Sequence, residues 1–554
     1  MSDLLNQASL VMVPSGYKED TVYSVVPSDG SGDLSFTRAS NGTRVNSAGL
    51  VEVVPWNMLQ YSEQIDNGVW TKFSPTSVTA DTTTAPNGTT TADTISTSAT
   101  AVIRQSVTLN ANETYTYSIY VKKISYDFFG FQSLISGTGV KSVFDLSNGT
   151  VTSQGSGHTA SIESVGNGWY RCIITFNVGS SASNIFDLAA DGGSATLRTF
   201  YAWGAQTNLG STAKPYFPTT DRLNVPRLTY QNGGGGCPSL LLEKQSTNLV
   251  FPSEDFSPWN TYLGASISTN TTISPDGTQN ADTLNFATSN QSQVFSNQGD
   301  ATFTAHTVSV YAKSSVGKKF RIKIANSTTG GDDFSNDFTT TSEWQRFTFI
   351  LTSGIQHIAI CNESSGGSGT IQIWGAQLEA SSYPTSYINT TSASATRVAD
   401  ICSKTGISSL IGQTSGVIFC DFNYIATTNT SDTTPIRLLG SGSAGMYLEI
   451  NSNNTFEVVV VNSVGTLVFN STSSAQIAGR YKFAIAYNAN DYAFYLNGTQ
   501  IAVDTSGAFA SASLDSLNLG MYQSGSQLLD GSINQAILFP TRLTNAELAS
   551  LTTL

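Results

Sequence analysis

Charged residues are scarce in this chain: Asp, Glu, Lys and Arg make up only 12% of its 554 residues. The 26 basic residues are outnumbered by 39 acidic ones, which gives a formal net charge of −13. A protein that binds a phosphate backbone needs clustered Lys and Arg, so no nucleic-acid partner is expected. The acidic balance is typical of a soluble surface protein.

Cysteine, long apolar runs and an export signal are also lacking. The five cysteines are scattered, without Cys-x-x-Cys or Cys/His spacing, so buried free thiols are predicted rather than disulfides or zinc. No stretch approaches the roughly 18 apolar residues of a membrane-spanning helix, so no membrane insertion is expected. The N-terminus, Met1–Gln7, has no basic region followed by an apolar run, so it is not predicted to be a signal peptide.

Catalytic motifs are missing as well. The three histidines, His158, His306 and His357, have no nucleophile motif around them, and no phosphate loop or metalloprotease motif occurs. A glycosidase generally needs two carboxylates about 5–9 Å apart, and the sequence offers no recognisable pair. The chain is therefore predicted not to be an enzyme, and a glycosidase or depolymerase remains an alternative.

What the sequence does contain favours β-structure. Hydrophobic residues reach 39% and aromatics 10%, which is enough to build cores. Short alternating segments such as Tyr115–Val121 are separated by turns such as Pro-Asn-Gly and Pro-Asp-Gly. A chain of this length is too long for one core, so three or four domains are expected.

An internal duplication organises the chain. The paired blocks, in order, are Asn57–Glu63 with Asn248–Glu254, Trp70 with Trp259, Ala92–Thr94 with Ala281–Thr283, Tyr117–Lys122 with Val308–Lys313, Trp169–Arg171 with Trp344–Arg346, Trp203–Gln206 with Trp374–Gln377, and Phe217–Thr219 with Tyr383–Thr385. We therefore predict two copies of one β-sandwich, at 56–225 and 246–395. The first copy has an extra loop, predicted at Phe128–Gly157.

Two further regions complete the predicted organisation. A Gly-rich connector spans 226–245 and contains the glycines 233–236. Residues 396–554 have a different rhythm, with a predicted hairpin at Asn497-Gly498 and a terminal helix whose N-cap is Thr544.

The two copies resemble jelly-roll carbohydrate-binding modules that recur in phage structural proteins. The residues that carry this resemblance are Asn248–Phe256, the Pro-Asp-Gly-Thr and Ala-Asp-Thr-Leu block, and Trp374–Glu379. The C-terminal region is similar to laminin-G-like or concanavalin-like sandwiches through Phe494–Gly498, Leu529–Ile533 and Leu543–Leu548. The resemblance implies an all-β chain of tandem jelly-roll β-sandwiches followed by a concanavalin/laminin-G-like sandwich.

Residues 1–55 and 226–249 also resemble segments of bacteriophage fibre and decoration proteins, through Ser9–Pro14, Phe36–Ser40 and Pro226–Tyr230. This resemblance implies a virion protein made in the bacterial cytoplasm and released by lysis, a fibre, spike or decoration subunit of head or tail. It implies docking to other virion proteins through residues 1–55, attachment to host cell-surface glycans, and a homo-oligomer, with a trimer favoured. A purely structural decoration or joining role is the alternative.

Candidate site residues follow from the repeated blocks. Trp70, Trp203, Trp259 and Trp374 are candidate sugar-stacking platforms, although a repeated Trp in a strand is more often a core residue. Glu63 and Glu254 match an acidic residue that ligates structural calcium in the modules resembled. A solvated carboxylate or turn hydrogen bond is the favoured alternative for both, and no other cofactor is expected.

Overall fold

Antiparallel β-sheets account for almost all the regular structure of the chain. The structure is a computed structural model that describes residues 2–98, 101–190, 196–230, 234–300, 302, 305–326, 330–425, 432–440, 444–507, 514–523 and 525–554. Contacts divide the chain into two compact units, Val54–Leu223 and the combination of Met1–Val53 with Asn224–Leu554. No helix among the described residues has the length and apolar character needed to cross a membrane.

The N-terminal segment contributes one short helix and six strands. They are α1 (Ser2–Leu5), β1 (Leu10–Met12), β2 (Tyr17–Lys18), β3 (Thr21–Val22), β4 (Leu34–Thr37), β5 (Gly42–Val45) and β6 (Val51–Val54). Strand β1 and strands β2 to β4 belong to two different sheets, and β5 pairs with β6.

Module 1 (residues 54–223) is a sandwich of two six-stranded sheets. Its strands are β7 (Thr71–Lys72), β8 (Ser77–Thr83), β9 (Ala92–Thr97), β10 (Ile103–Thr108), β11 (Thr114–Lys123), β12 (Phe128–Ile135), β13 (Thr138–Asp145), β14 (Thr150–Ser153), β15 (His158–Gly166), β16 (Trp169–Asn177), β17 (Ser183–Ala190) and β18 (Arg198–Leu209). The sheet orders are β14-β13-β12-β17-β10-β7 and β15-β16-β11-β18-β9-β8. The predicted inward face of β11 is confirmed, because Tyr115, Tyr117, Ile119 and Val121 are all buried in the core.

Module 2 (residues 246–395) repeats this sandwich with fewer strands. After β19 (Leu228–Thr229), β20 (Ser239–Leu242) and β21 (Ser246–Asn248) come β22 (Asn260–Tyr262), β23 (Ser266–Thr272), β24 (Ala281–Phe286), β25 (Gln293–Phe295), β26 (Ala305–Lys313), β27 (Lys319–Asn326), β28 (Asp332–Phe334), β29 (Phe338–Thr339), β30 (Gln345–Thr352), β31 (Ile355–Asn362) and β32 (Gly369–Glu379). The sheet orders are β22-β25-β31-β27-β28, with β29 also on β27, and β23-β24-β32-β26-β30.

The extra segment of module 1 differs from the predicted loop. Residues Phe128–Ile135 form a central strand that pairs with β17, just as Lys319–Asn326 pairs with β31 in module 2. The surplus residues instead lengthen β13 and add β14 and β15, and β15 pairs with β16 along its whole length. The segment is therefore sheet rather than loop, because the apolar residues Phe129 and Phe131 are needed in the core.

The C-terminal sandwich has two large sheets and a terminal helix. Its elements are β33 (Ala395–Arg397), β34 (Ile401–Lys404), a 3-10 turn (Ser408–Leu410), β35 (Gly416–Tyr424), β36 (Thr433–Leu439), β37 (Gly445–Ile450), β38 (Thr455–Val461), β39 (Leu467–Ala475), β40 (Gly479–Tyr487), β41 (Tyr492–Leu496), β42 (Thr499–Asp504), β43 (Ser516–Leu519), β44 (Gly531–Phe539) and α2 (Asn545–Thr552). The sheet orders are β19-β20-β44-β35-β40-β41-β42, with β1 on β44, and β2-β3-β4-β34-β43-β36-β37-β38-β39. The predicted Asn497-Gly498 turn and the Thr544 N-cap are both confirmed, and Glu547 completes a capping box with Thr544.

The N-terminal segment and the connector are built into this C-terminal sandwich. Strand β1 pairs with residues 536–538 of β44, and β20 pairs with residues 531–533 of the same strand. Leu10, Met12, Leu240 and Leu242 are buried in the same core cluster as Ile418. The predicted segments 1–55 and 226–245 therefore supply strands to the domain at the far end of the sequence. Gly233 of the predicted connector lies outside the described residues.

Five buried charged residues join these distant segments. The carboxylate of Asp400 accepts hydrogen bonds from Arg38, at 2.8 Å, and from Arg227. Glu243 forms ion pairs with Arg227 at 2.8 Å and with Arg397 at 3.2 Å. Although burial acts to raise the pKa of Glu243, Arg397 and Arg227 lower it to about 2. This charge network connects the N-terminal segment, the connector and the start of the C-terminal sandwich.

Candidate ligand-binding faces of the two modules

The four candidate platform tryptophans are buried, Trp70 and Trp259 in the main module cores and Trp203 and Trp374 in small separate clusters. Trp70 and Trp374 are 1% exposed, Trp203 is 3% exposed and Trp259 is 6% exposed. A stacking platform needs an open ring face, so the expectation of sugar stacking at these four positions is corrected to a packing role. Their repetition reflects a shared core.

The contacts of these tryptophans match between the copies. The indole Nε1 of Trp70 donates to the carbonyl of Tyr61, and that of Trp259 donates to the carbonyl of Pro252, each at 3.1 Å. Trp203 packs against Tyr216 with ring centroids 4.7 Å apart, and Trp374 packs against Tyr387 at 4.5 Å. Each indole thus keeps an equivalent partner in the two modules.

The glycine of the repeated Trp-Gly-Ala-Gln motif has a conformational role. Gly204 and Gly375 both have φ of +65°, at the point where the pairing of β18 with β11 and of β32 with β26 shifts register. A Cβ at Gly204 would lie 3.0 Å from the ring of Tyr120. Glycine therefore allows both the bulge and the close approach of the tyrosine.

The ends of the two modules correspond differently from the predicted alignment. Ser62 Oγ bonds the hydroxyl of Tyr216 at 2.8 Å and accepts from the backbone N–H of Thr219. Ser253 Oγ bonds the hydroxyl of Tyr387 at 2.6 Å and accepts from the N–H of Thr390. Tyr216-Phe217 therefore corresponds to Tyr387-Ile388. The sequence comparison paired Phe217 with Tyr383 instead, because both residues are followed by Pro-Thr.

The two candidate calcium ligands are engaged by neutral donors. Glu254 accepts hydrogen bonds from the hydroxyl of Tyr387 at 3.1 Å, from Asn280 at 3.0 Å, and from Asn389. Burial raises the pKa of Glu63, which is hydrogen-bonded to Tyr216. Calcium takes six to eight oxygen ligands, and the described residues hold no group of three or more His, Cys, Asp or Glu side chains that could bind a metal. Each glutamate is held by hydrogen bonds with neighbouring side chains, Glu63 with Tyr216 and Glu254 with Tyr387, Asn280 and Asn389.

A repeated aspartate that the sequence analysis did not single out fixes the loop next to each glutamate. Asp93 accepts from the backbone N–H groups of Ile65 and Asp81, at 2.8 and 3.1 Å. Asp282 accepts from Phe256 and Asn270 at 2.8 and 2.9 Å. Burial raises the pKa of both aspartates to about 6. The Ala-Asp-Thr repeat is thus explained by loop anchoring.

The outer face of one sheet of module 1 carries a polar row beside an exposed ring. Arg104, Asp187, Gln132 and Lys141 lie directly opposite one another across β10, β17, β12 and β13. Arg104 donates to both oxygens of Asp187, at 2.7 and 2.6 Å, and its guanidinium carbon lies 5.1 Å from the centroid of the Phe73 ring. These five residues define the module-1 face, on which Phe73 is 41% exposed.

The outer face of the corresponding sheet of module 2 has more rings. Phe295 and His357 pack with ring centroids 5.1 Å apart. Lys323 lies opposite Phe334 in the register of β27 and β28, with its Nζ 6.0 Å from the centroid of that ring. Tyr262, at the edge of this sheet, is 50% exposed. These five residues define the module-2 face, since the alternate positions Val294, Ile322 and Ile360 point into the core.

An exposed aromatic residue occurs at the same place in both modules. Phe73 and Tyr262 each follow a core tryptophan by three residues, Trp70 and Trp259 respectively. The register supports this equivalence, because Lys72 pairs with Ile103 as Thr261 pairs with Val294. A Trp-x-x-aromatic pattern in both copies was a sequence signal for this site.

The two faces can stack on and hydrogen-bond a flat polar ligand. An aromatic ring at a sheet edge offers a stacking surface, and in module 1 the amide of Gln132 and the cationic groups of Arg104 and Lys141 offer hydrogen-bonding groups, while the carboxylate of Asp187 is buried and bonded to Arg104. The faces differ in chemistry, because Arg104 and Lys141 of module 1 stand where module 2 has Phe295 and Phe334. The equivalent residues therefore provide different groups to a ligand.

One family model matches part of the chain. Residues 423–549 match a laminin-G model described as the Concanavalin A-like lectin/glucanases superfamily, which covers most of the C-terminal sandwich. No curated protein matches the sequence.

Several solved structures of carbohydrate-binding modules show weak similarity. The CBM40 module of a Ruminococcus gnavus IT-sialidase bound to α2,3-sialyllactose has 17% identity and a TM-score of 0.24, covering 27% of this chain and 91% of that module. The CBM22 tandem of Paenibacillus barcinonensis Xyn10C has 13% identity and a TM-score of 0.23, covering 59% and 98%. Domain 4 of the Geobacillus stearothermophilus arabinanase AbnA, in complex with arabinotriose, has 13% identity and a TM-score of 0.22, covering 31% and 82%. Scores this low support no inference from these proteins to the function of the present chain.

Proposed function

We propose that this chain is a glycan-binding surface protein and that the module-1 and module-2 faces are its binding sites. The observation that carries the proposal is the exposed ring at the equivalent position of both modules, Phe73 and Tyr262. Each ring has a hydrogen-bonding side chain beside it, since Arg104 lies next to Phe73 in module 1 and Gln293 lies opposite Tyr262 in the register of β22 and β25 in module 2. Stacking on an open ring combined with planar polar groups suits a pyranose.

Binding at each face is proposed to be weak and to gain strength from multiplicity. The faces are carried on sheet surfaces rather than in deep cavities, so each buries little of a ligand. Two modules per chain and several chains per assembly raise the effective concentration of sites, which replaces affinity with avidity. Glycan attachment, without hydrolysis, is the proposed activity, and release of reducing ends by the purified chain would contradict it.

The proposed setting is a bacteriophage particle, as a fibre, spike or decoration subunit facing the host surface. Its support is the sequence resemblance of residues 1–55 and 226–249 to phage proteins. In this setting the chain forms a homo-oligomer, with a trimer favoured, and light scattering should give three chains per particle in solution. Antibodies to the chain should label phage particles from a lysate of producing cells, and failure to label them would remove the virion role.

Glycan binding is tested on an array with the full-length chain coupled to a multivalent carrier. Replacing Phe73 or Tyr262 with Ala should weaken binding at its own face by about tenfold, the loss of one stacking contact. Val165→Ala and Ile273→Ala are matched controls, because these exposed apolar residues are 42% and 57% accessible and lie outside the two faces. Equal loss in the controls would show a non-specific effect on the surface.

A purely structural role is the second candidate function. The burial of Trp70, Trp203, Trp259 and Trp374 favours it, because these four repeated tryptophans all serve packing. The absence of binding by the multivalent wild-type chain to any glycan or to host cells would support this role and contradict the first proposal.

A further inference from the structure

Two tyrosines and an arginine form a stacked group on the outer surface of the C-terminal sandwich. The guanidinium carbon of Arg437 lies 3.6 Å from the ring centroid of Tyr522 and 5.5 Å from that of Tyr447. The two rings meet edge to face, with centroids 5.0 Å apart and an interplanar angle of 84°. Both tyrosines are only half-buried, while Arg437 is 7% exposed. The arginine thus acts as the base on which the rings are held.

The positive charge of Arg437 is not balanced by an adjacent carboxylate. Its Nη1 donates to the carbonyl of Tyr522 at 3.0 Å and approaches the side-chain oxygen of Gln523 at 3.5 Å. Among the described residues no acidic side chain pairs with it, and its Nε has no hydrogen-bond partner. A buried cation without a counter-ion is costly. The group is therefore better explained by a binding role for the rings than by a contribution to stability.

Polar side chains continue this surface along the neighbouring strands. Glu449 of β37 lies directly opposite Glu457 of β38, so two like charges meet on the same face. Gln527 donates to Glu449 at 2.6 Å, and Asn451 donates to Glu457 at 3.0 Å. Facing carboxylates destabilise a sheet. Hydroxyl donors of a bound ligand would relieve this repulsion.

We propose that this surface, formed by Arg437, Tyr447, Glu449, Glu457 and Tyr522, is a further binding site for an uncharged saccharide. A pyranose face would stack on Tyr447 or Tyr522, and its hydroxyls would donate to the carboxylates of Glu449 and Glu457. An acidic sugar is disfavoured, because the cation lies beneath the rings and the accessible charges are negative. A protein partner is disfavoured too, since charged residues are depleted at the centre of protein interfaces.

The test uses the full-length chain with both Phe73→Ala and Tyr262→Ala, so that each module face binds about tenfold more weakly. The probe is a printed panel of neutral, amino-containing and uronic acid-containing oligosaccharides. Residual binding to neutral members is expected, and it should fall at least tenfold when Tyr447→Ala or Glu449→Gln is added. Val464→Ala is the matched control, because this residue of the same sandwich is 82% exposed and lies away from the site. Thermal unfolding midpoints equal to that of the parent chain would show that the added changes leave the sandwich folded.

The outcomes separate this site from the module faces. Loss of all glycan binding in the Phe73→Ala, Tyr262→Ala chain would overturn the third site and leave the proposed function intact. If residual binding survives Tyr447→Ala and Glu449→Gln, the residual site lies elsewhere, and the proposed third site is also overturned. Residual binding restricted to acidic or amino sugars would contradict the ligand class. If binding is lost on Tyr447→Ala but unaffected by Phe73→Ala and Tyr262→Ala, this site is supported and the proposed role of the module faces is contradicted.

Discussion

Replacing Asp400 with Asn should strongly destabilise the unit made of residues 1–53 and 224–554. Asp400 is 2% exposed and accepts hydrogen bonds from Arg38, from Arg227 and from the backbone N–H of Glu243 at 3.0 Å. Burial lowers the pKa of Arg38 to about 10, so that side chain stays charged near neutral pH. The substitution would leave two buried guanidiniums without this counter-charge, because Asn offers one oxygen and no charge.

The size of the effect follows from the geometry. At 2.8 Å, and with an effective dielectric constant of about 20, Coulomb's law gives about 6 kcal/mol for the Arg38–Asp400 contact. The Asn oxygen would retain part of this as a neutral hydrogen bond, and removing one partner of a buried pair costs about 3–5 kcal/mol. We therefore expect a loss of about 3–5 kcal/mol in the free energy of unfolding. That is a large share of the roughly 5–15 kcal/mol of a typical domain.

The assay is urea unfolding of the full-length chain, followed by tryptophan fluorescence and circular dichroism. The matched control is Asp491→Asn, because Asp491 is 46% exposed and pairs with Arg542 at 2.7 Å. An exposed pair contributes about 1 kcal/mol or less. A loss in Asp400→Asn no greater than that in Asp491→Asn would refute the view that this network holds the N-terminal segment in the sandwich.

Two further predictions concern a buried histidine of module 1 and the cap of the last helix. Burial lowers the pKa of His158 to about 4, and its ring nitrogens bond Ser133 and Ser142 at 2.9 Å. Between about pH 6.5 and pH 4 the unfolded chain binds a proton that the folded module does not, so the stability of module 1 should fall as pH falls, by at most about 1.4 kcal/mol per pH unit. His158→Gln should remove this contribution, so the difference in the free energy of unfolding between wild type and variant should change with pH. A difference that stays constant between about pH 6.5 and pH 4 in denaturant titrations would contradict the prediction. Thr544→Ala should cost about 1 kcal/mol through loss of the capping box, whereas Ser550→Ala on the exposed side of the same helix should change the unfolding midpoint little.

The sequence predicted those features that depend on neighbouring residues. Alternation identified the buried face of Tyr115–Val121, the Asn-Gly pair located the hairpin at Asn497, and Thr544 marked the start of the last helix. The duplication was also visible, because matched blocks keep their order along the chain. Burial of the repeated tryptophans agrees with the general preference of a repeated strand Trp for the interior, although a strand pattern alone does not say which sheet face is covered.

Features that depend on distant pairing were not predictable. Arg38 and Asp400 meet although 362 positions separate them, and β1 joins a strand near the other end of the chain. The polar row of module 1 likewise needs the register of three strands before Arg104, Gln132 and Asp187 come together. A site assembled from strands far apart in the sequence leaves only weak local signals, of which the Trp-x-x-aromatic spacing is one.

The duplicated modules separate the requirements of folding from those of binding. At equivalent inward positions both copies keep apolar residues, Ile103 with Val294 and Phe131 with Ile322. At the neighbouring outward positions Arg104 corresponds to Phe295, so side chains that do not pack in the core have diverged. Only the exposed aromatic beside each row is kept. If stacking sets the specificity, both faces should bind the same sugars. If the diverged outward residues set it, Phe73→Ala and Tyr262→Ala should weaken binding to different members of the array.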